Sequence, residues 1–109
     1  DVGGGTSFSP FHTMLAAYYA GREGQTKRGL SLKPSRLWWL HTGGAARALG
    51  LEGVIGTLQP GSEADFVLLD PKATPLLARK TERAQNLEEL LFALIVLGDD
   101  RVVDQVVIA

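Results

Sequence analysis

The sequence predicts a mixed α/β chain with too few strands to close a sheet of its own. Three observations lead there. Apolar residues recur at helical spacing behind Ser9-Pro10, Pro34 and Asn86, each a helix-start signal. Two compact apolar runs, Phe66–Leu69 and Val102–Ile108, read as strands. Two strands do not form a stable sheet alone, so the chain is expected to be the tail of a larger protein.

The elements follow in order. Residues 1–9, "DVGGGTSFS", read as a loop, because three consecutive glycines favour neither helix nor strand. Ser9 is a good N-cap and Pro10 suits the first helical position, so a first helix is expected from Pro10 to about Ala20, ended by Gly21 and Gly24. The polar stretch from Gly21 to Lys33 is a connection. Pro34 opens a second helix whose face is Leu37, Leu40, His41, Gly44, Ala45, Ala48 and Leu49, with Gly50 closing it as the C′ residue. Gly43-Gly44 inside that helix implies another element packed very close to the backbone, since a helical glycine otherwise costs about 1 kcal/mol relative to alanine.

Pro60-Gly61 is a turn, and Phe66–Leu69 a buried strand bounded by aspartates and Pro71. A loop containing Pro71 and Pro75 is expected next. Asn86 caps a third helix, with Glu89 in capping-box spacing and Leu87, Leu90, Leu91, Leu94 and Ile95 on its buried face. Gly98 stops it, Asp99-Asp100 turns the chain, and a last strand follows that is too apolar to be one-sided.

Composition removes several function classes. The 109 residues are 45% hydrophobic and 21% charged, a globular composition. A net charge of −1 with scattered basic residues gives no nucleic-acid footprint, and Lys27-Arg28 reads as a solvated loop. The absence of cysteine excludes a disulfide scaffold, a thiolate zinc site and a cysteine nucleophile, and fits a cytoplasmic enzyme. The most apolar run, Leu87–Gly98, falls short of the roughly 20 apolar residues that cross a bilayer, so no membrane partner is expected. The mean hydropathy of +0.06 implies apolar surface that belongs against a partner.

Few residues could carry chemistry. Asp1 is the candidate metal ligand and catalytic residue, because a carboxylate can hold zinc and also accept a proton from bound water. The glycines beside it let backbone approach a planar substrate, and Thr6, Ser7 and Ser9 offer hydroxyls. His12 and His41 are the only histidines. Either could be a ligand or base, but the His-x-His and i,i+4 pairings of metal sites are absent. The structural reading puts His12 on a polar helix face and His41 as a partly buried, hydrogen-bonded helix residue. "GGGTS" could cradle a phosphate, yet it lacks the lysine of a Walker loop and the spacing of a dinucleotide fingerprint. Trp38 and Trp39, adjacent on a helix, point to different faces and suit core and interface roles.

Two stretches together carry a resemblance. "GTLQPGSEADFVLLDP" is similar to the segment by which chains of the amidohydrolase superfamily leave a catalytic barrel for a small β-sandwich, and "HTGGAARALGLEGVIG" resembles the helix before it. Within that superfamily, "DVGGGTSFS" resembles the loop after the eighth barrel strand of the guanine deaminase branch, and "LLFALIVLGDDRVVDQVVIA" resembles that branch's end. The resemblance implies a C-terminal fragment of a TIM-barrel metal-dependent hydrolase plus part of its composite β-sandwich domain. Residues 1–56 would end the barrel, and 57–109 would belong to the sandwich with one helix.

It further implies one zinc ion, with Asp1 as the last ligand and a proton shuttle, and the other ligands and an acidic glutamate elsewhere in the parent. The parent would hydrolyse guanine at C2 to xanthine and ammonia, as a cytoplasmic homo-oligomer with a small purine substrate. The fragment alone is expected to be inactive. Another purine, pterin or triazine aminohydrolase of the superfamily, or a stand-alone dimerisation domain, remains open on the residues themselves.

Overall fold

A computed structural model describes residues 4–23 and 30–109. Its elements are α1 (Pro10–Glu23), α2 (Pro34–Leu40), α3 (Gly43–Ala48), β1 (Phe66–Leu69), α4 (Pro75–Thr81), α5 (Leu87–Leu97), a 3-10 turn (Asp100–Val102) and β2 (Val103–Val107). Helices α1, α2 and α4 all pack on α5, and β1 pairs with β2.

α5 forms where the capping signature placed it. The Asn86 side chain accepts the Glu89 N–H at 3.0 Å, and the Glu89 carboxylate accepts the Gln85 N–H at 3.0 Å. The capping box thus closes one residue outside its usual reciprocal partner. Ala93, Leu94 and Ile95 are buried, but Leu87, in the first turn, is 63% exposed. Around α5 the core gathers Phe11 and Met14 of α1, Leu37 of α2, Leu77 of α4 and Val102. Residues from both halves of the sequence therefore share one apolar cluster.

The expected second helix is two. It breaks at His41-Thr42, where Thr42 leaves helical backbone (φ −127°, ψ −103°) and its hydroxyl donates back to the Trp38 carbonyl at 3.0 Å. A threonine that bonds its own preceding turn competes with the helical ladder. Of the face expected along this stretch, Leu37 is buried, whereas Leu40 and Leu49 are 41% and 72% exposed. Gly50 does close α3 at C′, with φ +72°. Its N–H bonds Arg47 O and the Leu51 N–H bonds Ala46 O, the paired bonds of a Schellman motif.

The close neighbour implied by Gly43-Gly44 lies within the chain itself. A Cβ on Gly44 would sit 2.7 Å from Cζ3 of the Trp39 ring and 2.9 Å from the Trp39 carbonyl oxygen. The Arg36 guanidinium covers the Trp39 ring, 4.0 Å from its centroid. The indole is thus held between a cation and a glycine backbone.

Other differences are instructive. α1 runs through Gly21 to Glu23, and the Gly21 carbonyl accepts the Leu30 N–H at 2.8 Å. Gly24, the other expected stop, lies outside the described residues, as do Lys27 and Arg28. The segment expected as a loop at Pro75 is helix α4, capped by Thr74, whose hydroxyl accepts the Leu77 N–H at 3.3 Å.

β1 has the expected limits and pairs antiparallel with β2, Phe66 opposite Val107 and Val67 opposite Val106, with an irregularity between Leu68 and Leu69. It is not a buried strand here. Val67 and Leu68 are 49% and 44% exposed, because a two-stranded sheet leaves surface uncovered. β2 is shorter than the expected run, since Val102 turns into the core within the 3-10 turn. Among the described residues, no helix is long and apolar enough to cross a membrane.

α2 is tied to α5 by a clasp 53 residues apart in sequence. The Glu88 carboxylate accepts the Ser35 N–H at 2.9 Å and, through its other oxygen, the Ser35 hydroxyl. These hydrogen bonds, first the hydroxyl and then the amide, hold the Glu88 carboxyl below its ordinary value, with Lys33 adding attraction. A depressed folded value means the clasp stabilises above the unfolded pKa and is lost as pH falls through the folded one. Glu88→Gln should therefore melt below the unsubstituted protein at pH 7, with the gap narrowing as pH drops beneath about 4.3. A gap independent of pH would remove the charge from this account. Gly44→Ala should destabilise by about 1–3 kcal/mol in unfolding experiments, because the methyl group overpacks against Trp39. A neutral substitution would show that Trp39 is not held there.

Candidate functional site

The glycine loop enters α1 through a short hydrogen-bonded root. The Ser7 hydroxyl accepts the Ser9 N–H at 2.9 Å and sits 3.2 Å from the Ser9 carbonyl. That carbonyl accepts both the backbone N–H of Thr13, at 3.2 Å, and its hydroxyl, at 3.4 Å. Thr6 and Thr13 hydroxyls pair at 3.1 Å. Of the hydroxyls the loop was expected to offer, that of Thr6 is therefore engaged with α1 and that of Ser7 with the Ser9 backbone. Local hydroxyl bonds of this kind fix a turn where glycine alone would leave many conformations.

The turn projects Phe8 outward, 87% exposed, and turns Phe11 inward, 7% exposed. Phe11 meets Trp38 edge to face, with centroids 5.8 Å apart and planes inclined at 63°. Between the loop root, the end of α2 and the sheet lies an open cleft of about 1030 Å³, walled by Phe8, Phe11, Met14, Trp38, Phe66 and Val103. His41, Thr42, Asp65, Asp99 and Asp100 supply its polar groups. Asp99 is already paired, its carboxylate meeting the Arg101 guanidinium at 2.6 Å, and that contact holds it below the usual aspartate range. The cleft is apolar enough to receive protein or a planar aromatic ring, with orienting groups at its edge.

The expected site residues fall as follows. Asp1 lies outside the described residues. His12 is exposed on α1. His41 follows the last turn of α2, and its Nδ1 bonds the Leu37 carbonyl at 3.0 Å. The hydrogen bond is as expected, but the ring is exposed rather than partly buried, because the helix ends there. Among the described residues, no three His, Cys, Asp or Glu side chains gather to hold a metal.

Trp38 and Trp39 do point apart, Trp38 toward Phe11 and α5, and Trp39 toward Gly44. Sequence reasoning missed Phe8 as a cleft wall; the Ser7 hydroxyl, bonded to the Ser9 backbone, closes the turn around it. It also missed the Ser35–Glu88 clasp, for which no local signal exists.

Comparison with known proteins bears on all of these elements at once. The chain is 39% identical over 101 residues to the guanine deaminase of Escherichia coli K12, covering 93% of this chain and 22% of that protein. It is 40% identical over 106 residues to a probable guanine deaminase of Deinococcus radiodurans, covering 97% of this chain and 24% of the relative. The solved structure of the E. coli guanine deaminase superposes with a TM-score of 0.87 at 36% identity, over 99% of this chain and 24% of that one. The chain thus spans about a quarter of the length of the curated relatives it matches. The model of the amidohydrolase family matches residues 1–108, and the chain belongs to that family.

Proposed function

We propose that this chain is the C-terminal part of a zinc-dependent guanine deaminase, converting guanine and water to xanthine and ammonia. The observation that carries the reading is the breadth of the match. Identity near 40% to guanine deaminases extends over 93–97% of the chain, and the family match runs from residue 1 to 108. In this reading residues 1–56 end a TIM barrel and residues 57–109 contribute to a composite β-sandwich. The half-exposed valines of β1 and β2 support such a division, since further strands would cover them. The cleft beside Phe8 would then be closed by the rest of the parent, a cytoplasmic homo-oligomer.

Asp1 would hold the zinc together with ligands from the rest of the parent. When bound, zinc supplies a water acidic enough to act as nucleophile near neutral pH. The task of Asp1 is to take up a proton from the water that attacks C2 of the purine. The glycines beside it leave room for a planar ring to lie against backbone. The hydrogen-bonded root from Ser7 to Thr13 fixes the other end of that loop to α1.

In the full-length protein, Asp1→Asn should lower kcat for guanine by about 100-fold or more, because the amide cannot accept the proton. Near-normal turnover would sink the assignment of Asp1. The purified 109-residue chain should show no guanine turnover; measurable activity would mean that the zinc site is complete without the parent. His12→Ala and His41→Ala should leave zinc content unchanged by metal analysis, since one ring is on the helix surface and the other bonds its own helix. Loss of zinc in either would make that histidine a ligand.

A further inference from the structure

We infer that the outer edge of β1, the one turned away from β2, pairs with an apolar β-strand from the part of the parent polypeptide that lies outside this chain. The inference rests on the proposed reading of the chain as part of a larger enzyme. It goes beyond that reading by naming the strand edge at which the two parts join.

The two strands differ in how ready they are to accept a further neighbour. β1 is Phe66-Val67-Leu68-Leu69, apolar on both faces and without a charged residue. Such a run is the pattern of a strand covered on both faces. β2 carries Asp104 and Gln105 within it. Leu68 lies opposite Gln105 and the next residue, Leu69, opposite Val103, so Asp104 is an extra residue without a partner on β1. A bulge and a charge are the means by which an edge strand resists further pairing. β1 has neither.

The backbone supplies the donors. Just past β1, the Asp70 N–H donates to the Val102 carbonyl at 2.8 Å, on the β2 side. Peptide groups alternate between the two edges of a strand, so the N–H groups of Val67 and Leu69 face the other edge. Among the described residues β1 has no second strand beside it. At the opposite end the Asp65 carboxylate accepts the Ala109 N–H at 2.9 Å, so the pairing with β2 is held in register at both ends. The open cleft of about 1030 Å³ borders β1 more than β2, with Phe66, Val67 and Leu69 in its wall against Val103 alone.

Length identifies the occupant. This chain covers 22% and 24% of the two bacterial relatives, so in the proposed reading most of the parent is available to supply the strand. A strand of the same polypeptide also pairs without the translational and rotational cost of recruiting a second molecule.

The test uses the full-length protein. Residue-resolved hydrogen exchange compares Val67 and Leu69 with Phe66 and Leu68, whose N–H groups face β2. Exchange at Val67 and Leu69 should be slowed about 100-fold or more relative to unstructured peptide, as at their neighbours. Fast exchange at Val67 and Leu69 beside slow exchange at Phe66 and Leu68 overturns the inference. The occupant is read with p-benzoylphenylalanine in place of Val67, irradiation, and mass spectrometry of the cross-linked peptides. The expected partner is a peptide of the same polypeptide from outside these 109 residues. Cross-links to a second copy, or solely within these 109 residues, overturn the inference. The same probe in place of Leu68, on the opposite face, decides the matter if the first variant does not fold. Guanine turnover of the unsubstituted protein is measured alongside. Turnover without the cross-link sinks this inference and leaves the guanine deaminase reading intact. The cross-link without turnover supports the strand pairing and sinks that reading.

Discussion

Burial of one face of α5 is the constraint on which the remaining structure depends. Ala93, Leu94 and Ile95 lie under α1, α2 and α4, and each is at most 5% exposed. Fully burying a Leu- or Ile-sized side chain contributes about 1.5–3 kcal/mol, so this short helix supplies a large share of what holds four helices together. Polar side chains serve its first turn, Asn86 capping its own start and Glu88 reaching to the start of α2. A helix that is apolar along its middle and polar at its first turn can act as a hub without leaving unpaired backbone groups there.

From that hub the position of the glycine loop follows. α1 lies on α5 through Phe11 and Met14, and Tyr18 further along meets Phe92 with ring centroids 5.0 Å apart. The loop root is therefore anchored to the most buried part of the chain, while Phe8 and the sheet face outward. Rigid support behind and apolar surface in front is the arrangement expected of a segment that shapes a pocket completed by other residues. The sheet fits the same view, with Val103 and Val106 43% and 56% exposed on a strand that has one partner among the described residues.

Much of this was legible in the sequence, and the misses have physical causes. The limits of β1 and the cap of α5 were read correctly because short-range chemistry decides them: flanking aspartates and proline in one case, the Asn86 side chain in the other. α4 was missed although Thr74-Pro75 repeats the cap-and-proline signal of Ser9-Pro10; two prolines close together outweighed it. The break at Thr42 depends on a hydroxyl bonding backward to Trp38, which residue spacing does not reveal. Burial was the least legible property. Val67, Leu68 and Leu87 are apolar by sequence yet exposed, since burial depends on partners that lie elsewhere. At the site, the hydroxyl-bearing residues of the loop could be read, but the Trp38–Leu91 and Ser35–Glu88 links join residues 53 positions apart and needed the fold.

The account's central claim is that Asp1 closes a zinc site assembled mainly by other parts of the parent. The most direct measurement is a crystal structure of the full-length gene product grown with zinc, with anomalous data collected at the zinc edge. The account predicts one zinc ion with an Asp1 carboxylate oxygen at about 2.0–2.2 Å and histidines from outside this chain completing the shell. A fully coordinated zinc with Asp1 remote from it, or no zinc beside the glycine loop, would contradict the claim.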